Sequence, residues 1–394
     1  MVTGRYAHPT CHTPIKRCCP LCGATTGNTL GYLKATLFDD CPLPGQWHIV
    51  ACADCGFIFC DGDYSAATLE AYYATEGEYW SNAEIFHDPV SDRADNPGTY
   101  IRKHRPNPET AILDVGCGSG KLLSVLQGMG YGSLHGIDPG YKGSGNGSLD
   151  LRQGNIYSIP FHNQFDVVVS THVLEHLWDI QGALAQLCSK MKKNGLLYLE
   201  VPDTERYFTS EFRYIIASAY EHINFFTEYH LTNLLFRYGI QTIEVVKTSA
   251  DYGKSHIPCL GIVGVRTDEC HKPTNPPPTQ CAEKFARYLR TMPFFPIREH
   301  IPAFAGKKIY VWGITRYLQI ALQYCDLNRN NLTGLIDSLA SRRKYTVFNL
   351  PTYPPEHLKG IQDAVVLINA LNAEKPIRQK LREIGFSGDI FNIW

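Results

Sequence analysis

Short apolar runs that end on an acidic or small polar residue recur through the middle of the chain. Each is followed by a stretch whose apolar residues return at helical spacing. Ile112, Leu113 and Val115 form the first run, residues 134–137 the second, 165–170 the third and 195–201 the next. Runs of this length without strict alternation suit strands buried on both faces, the habit of parallel sheets sandwiched between helices. Residues 241–247 and 259–265 then read as a closing antiparallel pair. The pattern predicts a doubly wound α/β domain over residues 110–267.

Outside that span the pattern changes. Residues 66–73 read as a helix, and Tyr72, Tyr73, Tyr79 and Trp80 make an aromatic cluster within a segment, 64–109, that either packs or covers a site as a lid. Residues 271–280, H-K-P-T-N-P-P-P-T-Q, carry four prolines and read as a linker, because proline fixes φ and removes a donor. Residues 282–292 suit an amphipathic helix, completing a linker unit over 268–300. Strands at 307–313, ending at Asp337 and at 364–368, separated by helix-like stretches, predict a small second Rossmann-like α/β domain over 301–394. Gly313 and Asp337 echo a nucleotide crevice there. However, Gly313-Ile314-Thr315-Arg316 has one glycine and lacks the dinucleotide spacing, so a structural or substrate-shaping role is expected.

A length of 394 residues with 44% hydrophobic residues allows two or three cored domains. Net charge is −1, from 37 basic and 38 acidic residues, so no nucleic-acid or anionic-membrane partner is expected. The first ten residues carry no signal-peptide core and no run reaches the about 18 apolar residues of a membrane span, so a cytoplasmic protein is expected. Fourteen cysteines in such a chain read as reduced thiols or metal ligands. Cys19-Pro-Leu-Cys22-Gly and Cys52-Ala-Asp-Cys55-Gly are two C-x-x-C-G knuckles, and four thiolates suit a closed, structural zinc site. Cys11, His12, Cys18, Cys41 and Cys60 lie close enough in sequence to exchange into the set. The expected zinc module spans residues 1–63.

The chemistry concentrates at residues 111–121, A-I-L-D-V-G-C-G-S-G-K, where a buried strand ends and three glycines remove the Cβ atoms from the turn into a helix. Such a turn sets a small ligand against bare backbone at the carboxyl edge of an open sheet. The spacing is neither the dinucleotide fingerprint nor a P-loop. Asp138, at the next strand end, can accept both hydroxyls of a ribose, and Asn155 with Ile156 can hold an adenine. Cys117 lacks a visible base and reads as packing.

Together D-V-G-C-G-S-G, I-D, G-N-I and F-D-V-V-V-S-T-H-V-L-E-H resemble the class I S-adenosylmethionine-dependent methyltransferases. The resemblance implies that Gly116, Cys117, Gly118 and Gly120 lie against the methionine part of the cofactor, with Asp114 near its amino group. It also implies Asp138 and Pro139 at the ribose, Asn155 and Ile156 at the adenine, and Ser170, Thr171 and His172 beneath the sulfonium. The plain alternative is an α/β domain whose glycines only pack a helix on a sheet.

The order of zinc knuckles, methyltransferase core and small α/β domain resembles the nucleotide-sugar C-methyltransferases, as does Tyr220-Glu221-His222-Ile223-Asn224-Phe225-Phe226. That resemblance implies a small-molecule acceptor, a nucleotide sugar or related natural-product intermediate. His222 is then the general base, with Glu221, Tyr220 and His176 beside it. The chain departs from the family in its generic glycine loop and V-L-E-H, which leaves the acceptor and the methylated atom open. His172, Glu175 and His176, at i, i+3 and i+4, would share a helical face and, with His222, resemble the E-x-x-E-H metal motif of ubiquinone-pathway and small-RNA end O-methyltransferases, with His172 replacing the first acidic residue. A further alternative is a scaffold that binds S-adenosylmethionine without catalysis. A nicotinamide-dependent sugar oxidoreductase is disfavoured by both glycine loops. Oligomeric state stays open.

Overall fold

The computed structural model describes residues 12–37, 41–80, 95–143, 149–208, 220–251, 256–278, 280–291, 296–325, 327, 331–338, 347–370 and 373–393. Three sheets organise them. The first is antiparallel and runs through β1 (Thr13–Pro14), β2 (Thr26–Lys34), β3 (Gln46–Cys52) and β4 (Ile58–Asp61) in chain order. Its last neighbour is a two-residue strand, Asn224–Phe225, contributed by the central domain and paired antiparallel to β4. Helix α1 (Ala66–Trp80) follows, longer than the residue 66–73 helix expected from sequence. The Tyr79 and Trp80 side chains fall outside the described residues, while Tyr72 is buried.

After α2 (Asp95–His104) come β5 (Ala111–Val115), α3 (Lys121–Gly128), β6 (Ser133–Asp138), β7 (Asp150–Gln153) and β8 (Phe165–Thr171). They continue as α4 (Ile180–Ser189), β9 (Met191–Pro202), β10 (Asn224–Phe225), α5 (Glu228–Arg237), β11 (Ile240–Asp251) and β12 (His256–Arg266). The sheet order is β11-β12-β9-β8-β5-β6-β7. Strands β5 to β9 pair in parallel, whereas β12 is antiparallel to both β9 and β11. β5 and β8 thus lie at the centre with connections winding to either side, and their carboxyl ends share one edge. This is the α/β, Rossmann-like architecture expected from the apolar runs.

Helix α6 (Cys281–Thr291) then leads to a parallel sheet of order β15-β14-β13-β16-β17. It is built from β13 (Lys308–Trp312), α7 (Arg316–Tyr324), β14 (Gly334–Ile336), β15 (Thr352–Tyr353), β16 (Ala364–Ile368), α8 (Glu374–Glu383) and β17 (Asp389–Asn392). The sequence divides the chain into separate modules, but the packing joins them. Leu33, Trp47, Phe285, Val311, Leu318, Val365 and Leu367 belong to one buried cluster, so the first sheet, α6 and the C-terminal domain share a core. The Lys34 amide donates to the Tyr324 hydroxyl at 2.9 Å and the Thr36 amide to the Gln319 carbonyl at 2.9 Å across that joint. Phe285 is fully buried, with ring centroids 4.8 Å from Phe225 and 5.8 Å from Phe208. Burial of such a ring stabilises by about 2–3 kcal/mol, which explains why the helix after the proline-rich stretch returns to the first sheet.

Among the described residues no helix is long and apolar enough to cross a membrane.

Candidate active site

The turn after β5 hangs from the neighbouring strand, since the Gly116 and Cys117 amides both donate to the Ile137 carbonyl, at 2.8 and 3.0 Å. Gly116 holds φ 85° and Gly118 φ 52°, in the left-handed region that side chains resist. A Cβ on Gly116 would be driven into Val173, whereas one on Gly118 would meet nothing within 4 Å. The backbone at Gly118 therefore faces open space. Asp138 ties the loop from the next strand, accepting from the Gly118 amide at 3.0 Å and from the Gly140 amide at 2.8 Å. Burial raises its pKa, and those two amides work against the rise. Asp114 is buried, and burial followed by the charge of Asp138 pushes its carboxyl up to about 7. Its Oδ1 has no hydrogen-bond partner among the described residues. A buried acceptor left open costs about 1–3 kcal/mol, so this position suits a ligand that donates, such as an amino group. The loop thus fits the methionine end of S-adenosylmethionine, with bare backbone at Gly118 and an unmatched acceptor at Asp114.

Other residues expected at the cofactor have local partners. Cys117 is buried, its Sγ close behind Gly136, and its pKa is pushed up by burial and then by Asp114 and Asp138, as a packing thiol requires. Gly120 caps the start of α3. Pro139 is exposed. Asn155 is exposed and its Oδ1 accepts from the Tyr157 amide at 3.0 Å, an Asx turn, while Ile156 is buried. Ser170 donates to the Val115 carbonyl at 3.1 Å, joining the ends of β8 and β5, and Thr171 closes β8 half-buried.

Beyond Thr171 the chain turns sharply at His172, whose φ of 54° is rare for a residue with a side chain. Its ring is wedged between two carboxylates, Nδ1 at 3.1 Å from Glu175 Oε1 and Nε2 at 3.2 Å from Glu200 Oε1. Tyr198 donates to Glu200 Oε2 at 2.9 Å, and Cys259 Sγ lies 3.8 Å from His172 Nε2. Burial disfavours the charged ring, but Cys259, Glu175 and Glu200 outweigh it and hold the pKa well above the usual histidine range.

Glu175 links this wedge to a second group. His176 Nε2 lies 3.8 Å from Glu175 Oε1, and the His176 and His222 rings meet edge to face at 4.6 Å. Ligand atoms of Glu175, His176 and His222 all lie within 4.8 Å of one another. Glu175 Oε2 is buried with no hydrogen-bond partner among the described residues. The Tyr73 hydroxyl sits 2.6 Å from His176 Nδ1. Glu221 is buried, and its carbonyl lies 3.4 Å from the same nitrogen.

Two expectations are corrected here. His172 does not share a helical face with Glu175 and His176, because only Leu174–His176 is helical, a single 3₁₀ turn, and His172 precedes it in a left-handed conformation. The four-residue set therefore splits, with His172 joining Glu200 and Cys259 instead. Tyr220 points away from the histidines, since its hydroxyl donates to the Pro44 carbonyl at 2.6 Å and its own carbonyl accepts from Trp47 Nε1 at 2.8 Å. It fastens the first sheet to the segment before His222.

Sequence reasoning missed Glu200, Cys259 and Arg17, took Asn224 only as a member of the motif around His222, and took Tyr73 only as part of an aromatic cluster. Glu200 carried a signal, as the only charge in the otherwise apolar residues 195–202. Arg17 is buried, donates to the Leu177 and Trp178 carbonyls at 3.2 and 2.8 Å and covers the Trp178 ring at 4.7 Å. Asn224 Nδ2 donates to the Leu174 and Leu177 carbonyls at 3.0 and 2.7 Å. Both residues hold the turn that carries Glu175 and His176.

The two knuckles come together where the chain enters β2 and where it turns from β3 to β4. Cys19 Sγ lies 3.6 Å from Cys55 Sγ, Cys22 Sγ lies 3.4 Å from Cys52 Sγ, and all four sulfurs fall within 4.8 Å of one another. A tetrahedral ion with about 2.3 Å bonds to sulfur places its ligands roughly 3.8 Å apart, so the set fits zinc. His230 Nε2 donates to the Cys55 carbonyl at 2.9 Å, anchoring the second knuckle to α5.

Residues 91–245 match a family model described as a methyltransferase domain. The ubiquinone biosynthesis O-methyltransferase of Agrobacterium fabrum strain C58 is 26% identical over 152 residues, 33% of this chain and 60% of that protein. The protein of the same name from Rhizobium rhizogenes strain K84 is 28% identical over 153 residues, 33% and 61% of the two chains. The chain thus spans about three fifths of the length of these curated relatives. Among solved structures it is similar to the 1,6-didemethyltoxoflavin-N1-methyltransferase of Burkholderia thailandensis, bound to 1,6-didemethyltoxoflavin and S-adenosylhomocysteine. That likeness has a TM-score of 0.42 and 13% identity over 55% of this chain and 98% of the other. A methyltransferase from Methanosarcina mazei gives a TM-score of 0.36 and 20% identity over 43% and 98%. The segment 91–245 thus matches a methyltransferase-domain model and carries the glycine turn and the strand order of a Rossmann-like α/β sheet.

Proposed function

We propose that the protein is an S-adenosylmethionine-dependent methyltransferase acting on a small molecule, a nucleotide-linked sugar or related biosynthetic intermediate, with His222 as general base. The observation that carries this reading is the meeting of His222, His176 and Glu175 next to His172, at the carboxyl edge that also bears the glycine turn. S-adenosylmethionine, when bound, supplies an electrophilic methyl group. The chain's own task is to align the acceptor, exclude water and take its proton.

His222 is the group for the proton, since an imidazole accepts near neutral pH. His176 packs edge to face on it and is itself steered, with Nδ1 2.6 Å from the Tyr73 hydroxyl and 3.4 Å from the Glu221 carbonyl, and Nε2 turned toward Glu175. For a ketosugar, removal of the proton beside the carbonyl leaves an enolate as nucleophile. For an alcohol, the oxygen itself is activated. The three-part build supports the sugar acceptor, and the O-methyltransferase relatives support an oxygen acceptor. Methyl transfer from labelled S-adenosylmethionine to a panel of nucleotide-linked ketosugars and hydroxylated small molecules tests the reading. Binding of S-adenosylhomocysteine with no turnover on any acceptor would favour a binding scaffold instead.

The clustering of Glu175, His176 and His222 also favours a second reading, a divalent ion that polarises the acceptor oxygen. Turnover that survives a chelator while the cysteine-bound metal is retained defeats it.

The four-cysteine site we assign to structural zinc. Elemental analysis should find one zinc per chain, lost in Cys52→Ser; metal-free wild-type protein would end this assignment.

A further inference from the structure

We infer that His172 is a positioning residue, whose ring, clamped by Glu200, holds the Glu175 carboxylate against the His176 and His222 pair. The inference rests on the proposed role of His222 and extends it to a residue that the sequence places at the cofactor or in a metal set.

The geometry makes a continuous, partly buried chain. Tyr198 donates to Glu200 Oε2, Glu200 Oε1 meets His172 Nε2, His172 Nδ1 meets Glu175 Oε1, and the same oxygen faces His176 Nε2. An imidazole has two nitrogens set at a fixed angle, so it bridges two carboxylates only if its backbone delivers the ring to a single place. The left-handed conformation at His172 does this, and the backbone is locked too, because the His172 amide donates to the Glu200 carbonyl at 2.8 Å. A conformation that costs about 1–3 kcal/mol persists where the surroundings over-determine it. Here the surroundings are the two carboxylates, the Cys259 thiol and the β8–β9 pairing.

Glu175 has little else to orient it. Its Oε1 is engaged by the two histidines, and its Oε2 has no hydrogen-bond partner among the described residues. A buried carboxylate held through one oxygen pivots when that hold is removed. Without the His172 ring, Glu175 should swing from His176, and the pair that contains the proposed base loses its alignment. Distances within such a constellation matter at the level of about 1 Å.

His172→Gly is the informative variant, because glycine keeps φ near 54° without strain and removes only the ring. The expected result has three parts. S-adenosylhomocysteine, titrated by calorimetry, binds within about threefold of wild type. The crystal structure of the variant shows the Glu175 carboxylate displaced by more than about 1 Å from its wild-type place, where Oε1 lies 3.8 Å from His176 Nε2. Added imidazole returns Glu175 to its wild-type position and raises methyl transfer to a nucleotide-linked ketosugar, after a loss of about 10²-fold, by at least tenfold. Should His172→Gly not fold, His172→Asn, which tolerates the left-handed region and reaches one carboxylate, should fall between the two. Glu175 unmoved in the variant overturns the proposal, as does loss of S-adenosylhomocysteine binding in step with turnover, which would make His172 a cofactor contact. The position of Glu175 is read without any activity. A His222→Asn enzyme with normal turnover therefore refutes the base and leaves the positioning result standing on its own.

Discussion

The carboxyl edges of the central and the C-terminal sheets are built alike and left in opposite states. In each, the first strand of the domain ends at a glycine whose amide donates to an isoleucine on the neighbouring strand: Gly116 to Ile137 at 2.8 Å and Gly313 to Ile336 at 3.2 Å. Both glycines hold positive φ, and both turns lead into a helix. Past that point they part. The central turn opens at Gly118 onto empty space and keeps an unmatched acceptor at Asp114. In the C-terminal turn, Asn369, fully buried at the end of β16, donates to the Gly313 carbonyl at 2.9 Å and to Thr315 Oγ1 at 3.0 Å. Ala370 closes over Gly313 so that an added Cβ would lie 3.1 Å from it. A shared strand–glycine–helix frame does not by itself make a site, and the cover over the turn, open at Gly118 and closed by Asn369 and Ala370 at Gly313, separates the two edges.

The sharpest break between the edges should be catalytic. His222→Asn removes the proposed base from the central edge, and turnover is expected to fall by about 10²–10⁴-fold, the usual worth of a positioned general base. Binding of S-adenosylhomocysteine should be unchanged. Normal turnover would move the proton-accepting role elsewhere.

Next in size is the glycine turn itself. Gly116→Ala forces a side chain into positive φ and into Val173, and about 3 kcal/mol of strain in the loop corresponds to about 10²-fold weaker S-adenosylhomocysteine binding. Gly313→Ala carries a similar backbone penalty, yet its cost should appear only as a lower melting temperature. If Gly313→Ala weakened the cofactor as strongly as Gly116→Ala, the two edges would not be functionally distinct.

The third comparison concerns Asn369. Truncation to alanine leaves the Gly313 carbonyl and Thr315 without their buried donor, which should destabilise the fold by about 1–3 kcal/mol, measured by denaturant unfolding. S-adenosylhomocysteine affinity should hold. A gain of nucleotide binding at the C-terminal edge would reveal a masked site rather than a sealed one.

How much of this was legible depended on the range of the interactions. Strand β16 was readable to the residue, because five consecutive apolar residues between polar neighbours have one plausible use, and the glycine turn was readable because three glycines beside an acidic residue are a local pattern. The cysteine knuckles were readable for the same reason. His172, Glu175 and His176 were visible as chemistry but placed on a helical face they do not share, since nothing local signals that His172 takes φ 54°. The Glu200 carbonyl and carboxylate fix it, and they come from another strand. Likewise, hydropathy alone could not show that Phe285 seals the first sheet to the C-terminal domain, because an amphipathic stripe names a buried face without naming the surface that buries it.

The smallest effect concerns protons at Asp114. In the cofactor-free fold its pKa is about 7 against an ordinary 3.8, raised by burial first and by Asp138 second. The folded chain therefore keeps a proton that the unfolded chain releases, so Asp114's contribution to stability is full below pH 3.8 and is lost as pH climbs through about 7. A cofactor amino group beside the carboxyl favours the anion, and below pH 7 binding must first remove that proton. S-adenosylhomocysteine affinity should accordingly rise by about tenfold between pH 6 and 8 and level off above, with proton release in calorimetry on the acid side. Asp114→Asn should bind more weakly at pH 8 and show a flatter profile, because the amide offers an acceptor without a titrating charge. An unchanged slope in that variant would take the proton away from Asp114, and would leave the unmatched oxygen there outside the contact with the cofactor's amino group.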